Sequence, residues 1–503
     1  MRQVGRVLVA NRGEVALRII RAVHEEGMEA VAVYSPADRG SRHVSEADLA
    51  VPLGGPGSTP AETYLVIDRL IEAARTSGAG FVHPGYGFLA ERAEFAEAVA
   101  AAGLAFVGPP AEAIRAMGNK TEARRRMAAA GVPVVPGSDE PLDDPVRARA
   151  VADKMGYPVM VKAVSGGGGR GMRVVTEPAD MERALRTAAS EAEKAFGDPA
   201  VYLEKFIQRP RHVEIQVLAD DGHTIHLGER ECSIQRRHQK LVEEAPSVAV
   251  GDDLRARMGA AAVAGAEAVG YRGAGTCEFL LDADGSFYFL EMNTRIQVEH
   301  PVTEAVYRVD LVREQLRVAR GLPLSVSSAD RRPEGWSIEC RITSEDPGND
   351  FLPATGRVSY LQVPAGPGVR WDSALGVGDE VTLFYDSLLG KLIVWGADRT
   401  EALGRMRRAL GELVIVGVAT NQVFHRALLA DAEFCRGELD IQFLDRHQGL
   451  LAPRPDPGIV TAVGVAAALA EDDVRQSRIP VVGADGWRAR RAWLHAARRD
   501  GLR

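Results

Sequence analysis

Hydrophobic positions open the chain in a strand–helix–strand rhythm. Arg6 to Ala10 is a short apolar run of the buried-strand type, Glu14 to Glu26 has helical spacing, Gly27 stops that helix, and Ala30 to Tyr34 reads as a strand again. This is a βαβ unit. A second such unit ends in Gly80-Phe81-Val82-His83-Pro84-Gly85-Tyr86-Gly87, where a strand gives way to a glycine-rich turn of the kind that edges ligand crevices in open α/β sheets. The first domain is expected to close near residue 115. After Gly131-Val132-Pro133 the pattern becomes hairpin-rich, with long strands at Val159 to Ala163, Val201 to Lys205 and His212 to Ala219, which predicts an α+β middle domain. From about Gly335 short strands broken by glycine and proline precede a helix at Arg399 to Leu413, predicting a third, α+β domain that ends near Leu450. Ala452 to Gly458 reads as a linker. The arginine-rich stretch from Gln476 to Arg503, with Trp487 and Trp493, reads as a solvated surface segment or a partner contact.

Composition fits this picture of several packed units. The 503 residues are 46% hydrophobic and 26% charged, the balance of a soluble globular enzyme, and the net charge of −8 has no basic stripe to favour a nucleic-acid partner. Cys232, Cys277, Cys340 and Cys435 stand far apart without a CxxC pair, as reduced thiols of the cytoplasm do. Residues 1–14 lack the apolar run and cleavage site of a secretory signal, and Val460 to Leu469 is shorter than the ~20 residues of a membrane helix. The expected location is cytoplasmic, with no membrane contact.

Four segments carry chemistry. Ser165 to Met172 contains GxGxxG, yet a strand rather than a helix follows it, so the dinucleotide fingerprint fails, and the Walker GK[ST] ending is missing. The loop's amides can still wrap a triphosphate, with Lys162 just upstream; a plain mobile hairpin turn is the alternative. Thr276 to Leu281 and Ser286 to Asn293 form two strands around a turn. If Leu281 opposes Ser286, Glu278 and Glu291 are diagonal neighbours on one face, and with Asn293 they offer oxygen ligands to Mg²⁺; carboxylates on an ordinary solvated strand are the alternative. In Arg295-Ile296-Gln297-Val298-Glu299 the polar residues alternate with apolar ones, so an extended chain would aim all three one way, as a small-anion site with a base or as a salt-bridge ladder. The donor-dense run Glu229 to Lys240 is either a phosphate-stabilising cluster or a solvated basic run. His212 and His238 lack paired spacing, so zinc is not expected.

With NRGEVALR, HPGYGFL, GGGGRGMR, RHVEIQVL, ERECSIQRRHQK, YRGAGTCEFL and EMNTRIQVEHPVTE in that order, the chain resembles the biotin carboxylase family of the ATP-grasp superfamily, from Asn11 to about Leu444. The resemblance implies a Rossmann-like N-terminal domain over residues 1–115. An ATP-grasp domain over 116–334, with a glycine-rich lid at about 134–207, and an α+β C-terminal domain over 335–450 follow it, and 451–503 is an extension of open role. It implies that Lys120, Lys162, Gly167, Gly168, Met172, Glu204, Lys205, His212, Gln235 and His238 bind ATP. Glu278, Glu291 and Asn293 would hold Mg²⁺ or Mn²⁺. Bicarbonate would sit on Lys240, Arg295, Gln297 and Val298, with Glu299 as general base, Arg341 steadying the biotin enolate and Tyr86 beside the biotin.

The same resemblance implies a homodimer that carboxylates biotin through carboxyphosphate, the first half-reaction of an acetyl-CoA or other acyl-CoA carboxylase. The biotinyl Ala-Met-Lys-Met motif of the family's fused members does not occur in this sequence, so a separate biotin carboxyl carrier protein and carboxyltransferase are the expected partners. Three positions depart from the family pattern: Asn119 for aspartate, Cys277 for phenylalanine, and Tyr307-Arg308-Val309 for a glycine-containing turn. The rivals are another bicarbonate-phosphorylating ATP-grasp ligase, such as a carbamoyl-phosphate synthetase half, and a non-catalytic nucleotide-binding assembly protein.

Overall fold

The computed structural model describes residues 5–138, 140–163, 172–196, 198–326, 332–452 and 457–478. It divides into a compact unit, Met1–Ala452, and a second, Pro453–Arg503. In the second, Pro457–Arg478 is one helix, so helical structure begins inside the stretch expected to be a linker. Among the described residues, no helix is long and apolar enough to cross a membrane.

The first unit begins with a parallel sheet. Strands β1 (Arg6–Val9), β2 (Glu29–Tyr34), β3 (Leu49–Pro52), β4 (Phe81–His83) and β5 (Ala105–Phe106) lie in the order β3-β2-β1-β4-β5. The chain leaves β1 in one direction and returns at β4 on its other side, so a crevice opens where these two strands end, the usual ligand position in such sheets. Helix Gly13–Glu25 packs a mainly apolar face inward, burying Glu14 and Arg18 with it, and stops at Gly27, whose φ of +68° suits glycine. Asn11 Nδ2 donates to the carbonyls of Pro84 and Tyr86, both at 2.8 Å, which fixes the two crevice loops to one another.

The middle of the chain builds two antiparallel sheets. A small one orders β7 (Met172–Val175), β6 (Val159–Ala163) and β8 (Val201–Lys205). The large one contains β9 (Arg211–Ala219), β10 (Thr224–Arg236), β11 (Gln239–Ala245), β12 (Gly273–Leu281), β13 (Phe287–Asn293) and β14 (Trp336–Thr343). It continues into β15 (Val369–Asp372) and β16 (Leu388–Gly396), in the order β13-β12-β9-β10-β11-β14-β16-β15. Because β11 pairs with β14, one sheet runs through residue 335 without a break. Two apolar clusters pack along it, one around Met127, Phe279 and Phe289 at one end, the other around Leu392, Met406 and Phe424 at the other.

Two of the family departures have a local account. Asn119 caps helix Lys120–Ala129, its Oδ1 accepting from Glu122 N at 3.0 Å, a task asparagine performs as well as aspartate. Arg308 ends helix His300–Tyr307 at φ +55°, the left-handed cap that glycine adopts without strain.

Helix Gly13–Glu25, helix His300–Tyr307 and β15 meet through buried charges. Arg18 donates to Glu304 at 2.8 Å and lies 2.6 Å from Asp310, while Arg370 reaches Glu304 at 2.7 Å and Asp372 at 2.6 Å. Burial opposes charge on Glu304 and Asp372, but Arg18 and Arg370 hold both well below the usual carboxylate range. Carboxylates depressed in this way stabilise the fold above their unfolded pKa, and that contribution is lost as the pH falls. Resistance to urea unfolding is therefore expected to fall progressively below about pH 4.5, the ordinary glutamate value. Glu304→Gln should cost about 3 kcal/mol at pH 7 and flatten the acid limb.

Candidate active site

The crevice loops and the large sheet enclose a cleft of about 860 Å³. Its wall includes Tyr86, His212, Gln235, His238, Lys240, Glu278, Glu291, Asn293, Arg295, Gln297, Val298, Glu299 and Arg341, so the residues assigned from sequence to magnesium, bicarbonate and biotin converge.

A buried ammonium organises the floor. Lys240 Nζ donates to Glu214 at 2.6 Å, Glu299 at 2.7 Å and Glu278 at 2.9 Å, using all three of its donors. Arg341 Nη2 reaches the other oxygen of Glu299 at 2.9 Å, and its Nε reaches Glu243 at 2.6 Å. Burial works against a charge on Glu299, yet Lys240, Arg341 and Arg230 keep its carboxyl well below the ordinary range, and it stays ionised. Glu243 goes the other way: burial and the nearby Glu299 charge push it up to about 7 despite Arg341.

The metal face comes from β12 and β13, in a register different from the one expected. Leu281 opposes Phe287, not Ser286, and a bulge at Leu290 then places Glu291 directly opposite Glu278 instead of diagonal to it. Leu290, the extra residue, is turned out to solvent. Burial and the charge of Glu278, which faces it, raise Glu291. The oxygen donors Glu278, Glu291 and Asn293 thus fit a hard divalent cation. His212, Glu214 and Glu278 also lie within coordinating distance of one another, but Lys240 already occupies the space between the two carboxylates.

Arg295 to Glu299 is not an extended strand. It bends into the turn that starts helix His300–Tyr307, which lets Gln297 and Glu299 reach Glu278 and Lys240 while Arg295 pairs with Glu91 at 3.0 Å and Asn293 at 2.8 Å. The donor-dense run also divides. Arg236 and Arg237 turn away to Asp350, Gln235 binds His212 Nδ1 at 2.8 Å, and His238 sits in the hairpin turn at φ +65°.

The residues assigned to the nucleotide are more dispersed. Lys120 lies near enough to Glu291 to stabilise its charge. Lys162 and Glu204 form an ion pair between β6 and β8, with Arg124 on the other oxygen of Glu204. Met172 opens β7 beside Lys162, and Lys205 donates to the Gly156 carbonyl at 2.7 Å. Gly167 and Gly168 lie outside the described residues.

Three functional residues escape a reading of the sequence. Glu214 shares the β9 face with His212, and strict alternation in RHVEIQ is the signal for it. Arg230 is fully buried, and its donors reach Glu214, Gln216 at 2.7 Å, Thr303 at 2.9 Å, Thr276 at 3.0 Å and Gln297 at 2.5 Å, fixing three sheet strands and the Gln297 loop together. Lys391, also fully buried, donates to the Val298 carbonyl at 2.9 Å and lies 3.2 Å from Glu14, which in turn accepts from the Tyr86 hydroxyl. A lone lysine in the apolar run Leu388 to Val394 is its signal.

Comparison with known proteins agrees with this geometry. Residues 3–114 match the biotin carboxylase N-terminal domain, 119–327 the carbamoyl-phosphate synthase L chain ATP-binding domain, and 339–446 the biotin carboxylase C-terminal domain. The chain is 52% identical over 440 residues to a biotin carboxylase of Nostoc sp., covering 87% of this chain and 98% of that one. It is 51% identical over 444 residues to a pyruvate carboxylase component of Methanothermobacter thermautotrophicus, covering 88% and 90%. The biotin carboxylase domain dimer of Hydrogenobacter thermophilus 2-oxoglutarate carboxylase, solved with MgADP, ADP and bicarbonate, superposes with a TM-score of 0.81 at 45% identity, covering 90% of this chain and all of that one. With all three domains matched in order and half of the aligned residues identical, the chain belongs to the biotin carboxylase family.

Proposed function

We propose that the cleft uses ATP and bicarbonate to carboxylate biotin held on a carrier domain, and that each of its charged groups has one task in that reaction. The observation that carries this reading is Glu299, an ionised carboxylate clasped by Lys240 and Arg341 on a wall shared with facing magnesium-type carboxylates. Glu278, Glu291 and Asn293 would hold Mg²⁺, which when bound neutralises phosphate charge.

Lys240, Arg295 and Gln297 present cationic and amide donors to bicarbonate, and Lys391 holds the Val298 carbonyl still beside them. As the anions arrive they compete with Glu299 for Lys240 and Arg341. That competition weakens the hold that suppresses its basicity, so Glu299 can accept the bicarbonate proton as the bicarbonate oxygen attacks the γ-phosphorus and ADP leaves. Carboxyphosphate then breaks down to CO₂ and phosphate. The phosphate takes the biotin N–H proton, Arg341 balances the enolate charge, and the biotin nitrogen attacks CO₂.

We further propose a homodimer served by separate carrier and carboxyltransferase components. Relatives named for pyruvate, 2-oxoglutarate and unspecified acceptors share this architecture, which agrees with the final acceptor being chosen outside the cleft.

ATP hydrolysis with Mg²⁺ and bicarbonate is expected to rise strongly on adding free biotin, and Glu299→Gln should remove that stimulation by about 10²–10⁴-fold while ATP binding persists. Stimulation that survives Glu299→Gln would remove the base from this position. A folded wild type that binds ATP without biotin-dependent turnover would favour a non-catalytic assembly role. Arg230→Lys keeps the charge but cannot supply five donors. It is expected to raise the KM for bicarbonate at least tenfold with the KM for ATP little changed, and steady-state kinetics will separate the two.

A further inference from the structure

Glu299 owes its side-chain position to Lys240 and Arg341, yet these are the cations for which the anions compete in the reaction proposed above. A base whose side-chain partners change during the reaction keeps its aim only if its backbone is fixed. The turn that leads into Glu299 is fixed at two carbonyls. His300 Nδ1 lies 2.8 Å from the Gln297 carbonyl, and Lys391 Nζ donates at 2.9 Å to the Val298 carbonyl, which belongs to the peptide that carries Glu299.

Lys391 is fully buried and stands directly opposite Arg341 in the register of β14 and β16. An ammonium withdrawn from water needs a counter-charge. Asp372 faces Lys391 from β15, but both of its oxygens are taken by Arg370. Glu14, in the first turn of helix Gly13–Glu25, is the direct partner: its Oε1 lies 3.2 Å from Lys391 Nζ and also accepts from the Tyr86 hydroxyl. Among the described residues Glu14 Oε2 has no hydrogen-bond partner, so the alignment of this carboxylate rests on Oε1 alone. Tyr86 is in turn anchored through its carbonyl, which accepts from Asn11 at 2.8 Å.

We propose that Glu14 and Lys391 are positioning residues for the general base: Glu14, steadied by the Tyr86 hydroxyl, aims the Lys391 ammonium at the Val298 carbonyl and so holds Glu299 in place while its side-chain partners change. The inference rests on the biotin carboxylase reading of the cleft. It gives the Tyr86 hydroxyl a task separate from any contact of the ring with biotin.

The test is the steady-state kinetics of biotin-dependent ATP cleavage by the full-length chain carrying Glu14→Gln, Tyr86→Phe or both. Glu14→Gln removes the charge and Tyr86→Phe the hydroxyl, and each keeps the shape of its side chain. Each single variant is expected to lower kcat by about tenfold or more with the KM for ATP within about twofold of wild type, and the double variant should fall no further than the weaker single one, because both break the same chain of contacts. Losses that multiply in the double variant would overturn the proposal. So would a Tyr86→Phe enzyme altered only in its KM for biotin, which would assign the hydroxyl to the biotin subsite. A Glu14→Gln enzyme with a lowered unfolding midpoint and an unchanged kcat would show a purely structural pair and overturn it as well. Absence of any biotin-dependent turnover in wild type would instead strike the reading of the cleft itself.

Discussion

A carboxylate at Glu299, removed from water, stays charged only because Lys240 and Arg341 surround it. Isolated in a protein interior that charge would cost several kcal/mol, and the group would take up a proton instead. Lys240 is in turn held by Glu214 and Glu278, and Arg230 beneath them spends every donor on Glu214, Gln297 and three neighbours. The floor of the cleft is thus a closed set of compensating charges. In the reaction we propose, a substrate that carries negative charge exchanges places with one of its members, and in that way bicarbonate and phosphate would switch Glu299 from ion-pair partner to base.

The fold supplies that set from two sheets. The N-terminal sheet contributes Glu14 and Tyr86 at the crevice between β1 and β4. The large sheet contributes His212, Glu214, Lys240, Glu278 and Glu291 from adjacent strands, and β14 and β16 add Arg341 and Lys391. Lys391 ties these parts together, since one buried ammonium touches both the Val298 carbonyl and Glu14. The continuity of the large sheet through β11 and β14 keeps Glu243 and Arg341 in register across the junction of the second and third domains.

Much of this is legible in the sequence, and the reasons differ by residue. The strands Val159–Ala163 and Val201–Lys205 coincide with their periodicity because each carries its apolar residues to one small core. Glu278 and Glu291 stand out as partners because both interrupt apolar strands. Their register differs from the one alternation predicts because a bulge at Leu290 is a tertiary adjustment that alternation does not announce. Arg295 to Glu299 alternates like a strand but bends, since Ile296 is drawn into the core beside helix His300–Tyr307. Arg230 lies in a charged run and Lys391 alone in an apolar one, so a linear reading marks both without giving their partners. Only their burial, with each donor matched by an acceptor from a distant part of the chain, gives them a role.

The most direct measurement of the central claim follows the oxygen atoms. Wild-type enzyme, ATP, Mg²⁺ and biotin would be supplied with ¹⁸O-labelled bicarbonate, and the phosphate released would be analysed by mass spectrometry. If bicarbonate attacks the γ-phosphorus within this charge network, each phosphate carries one oxygen from bicarbonate. Phosphate that instead takes its new oxygen from water would contradict the account, because Glu299 would then be activating water and carboxyphosphate would not form.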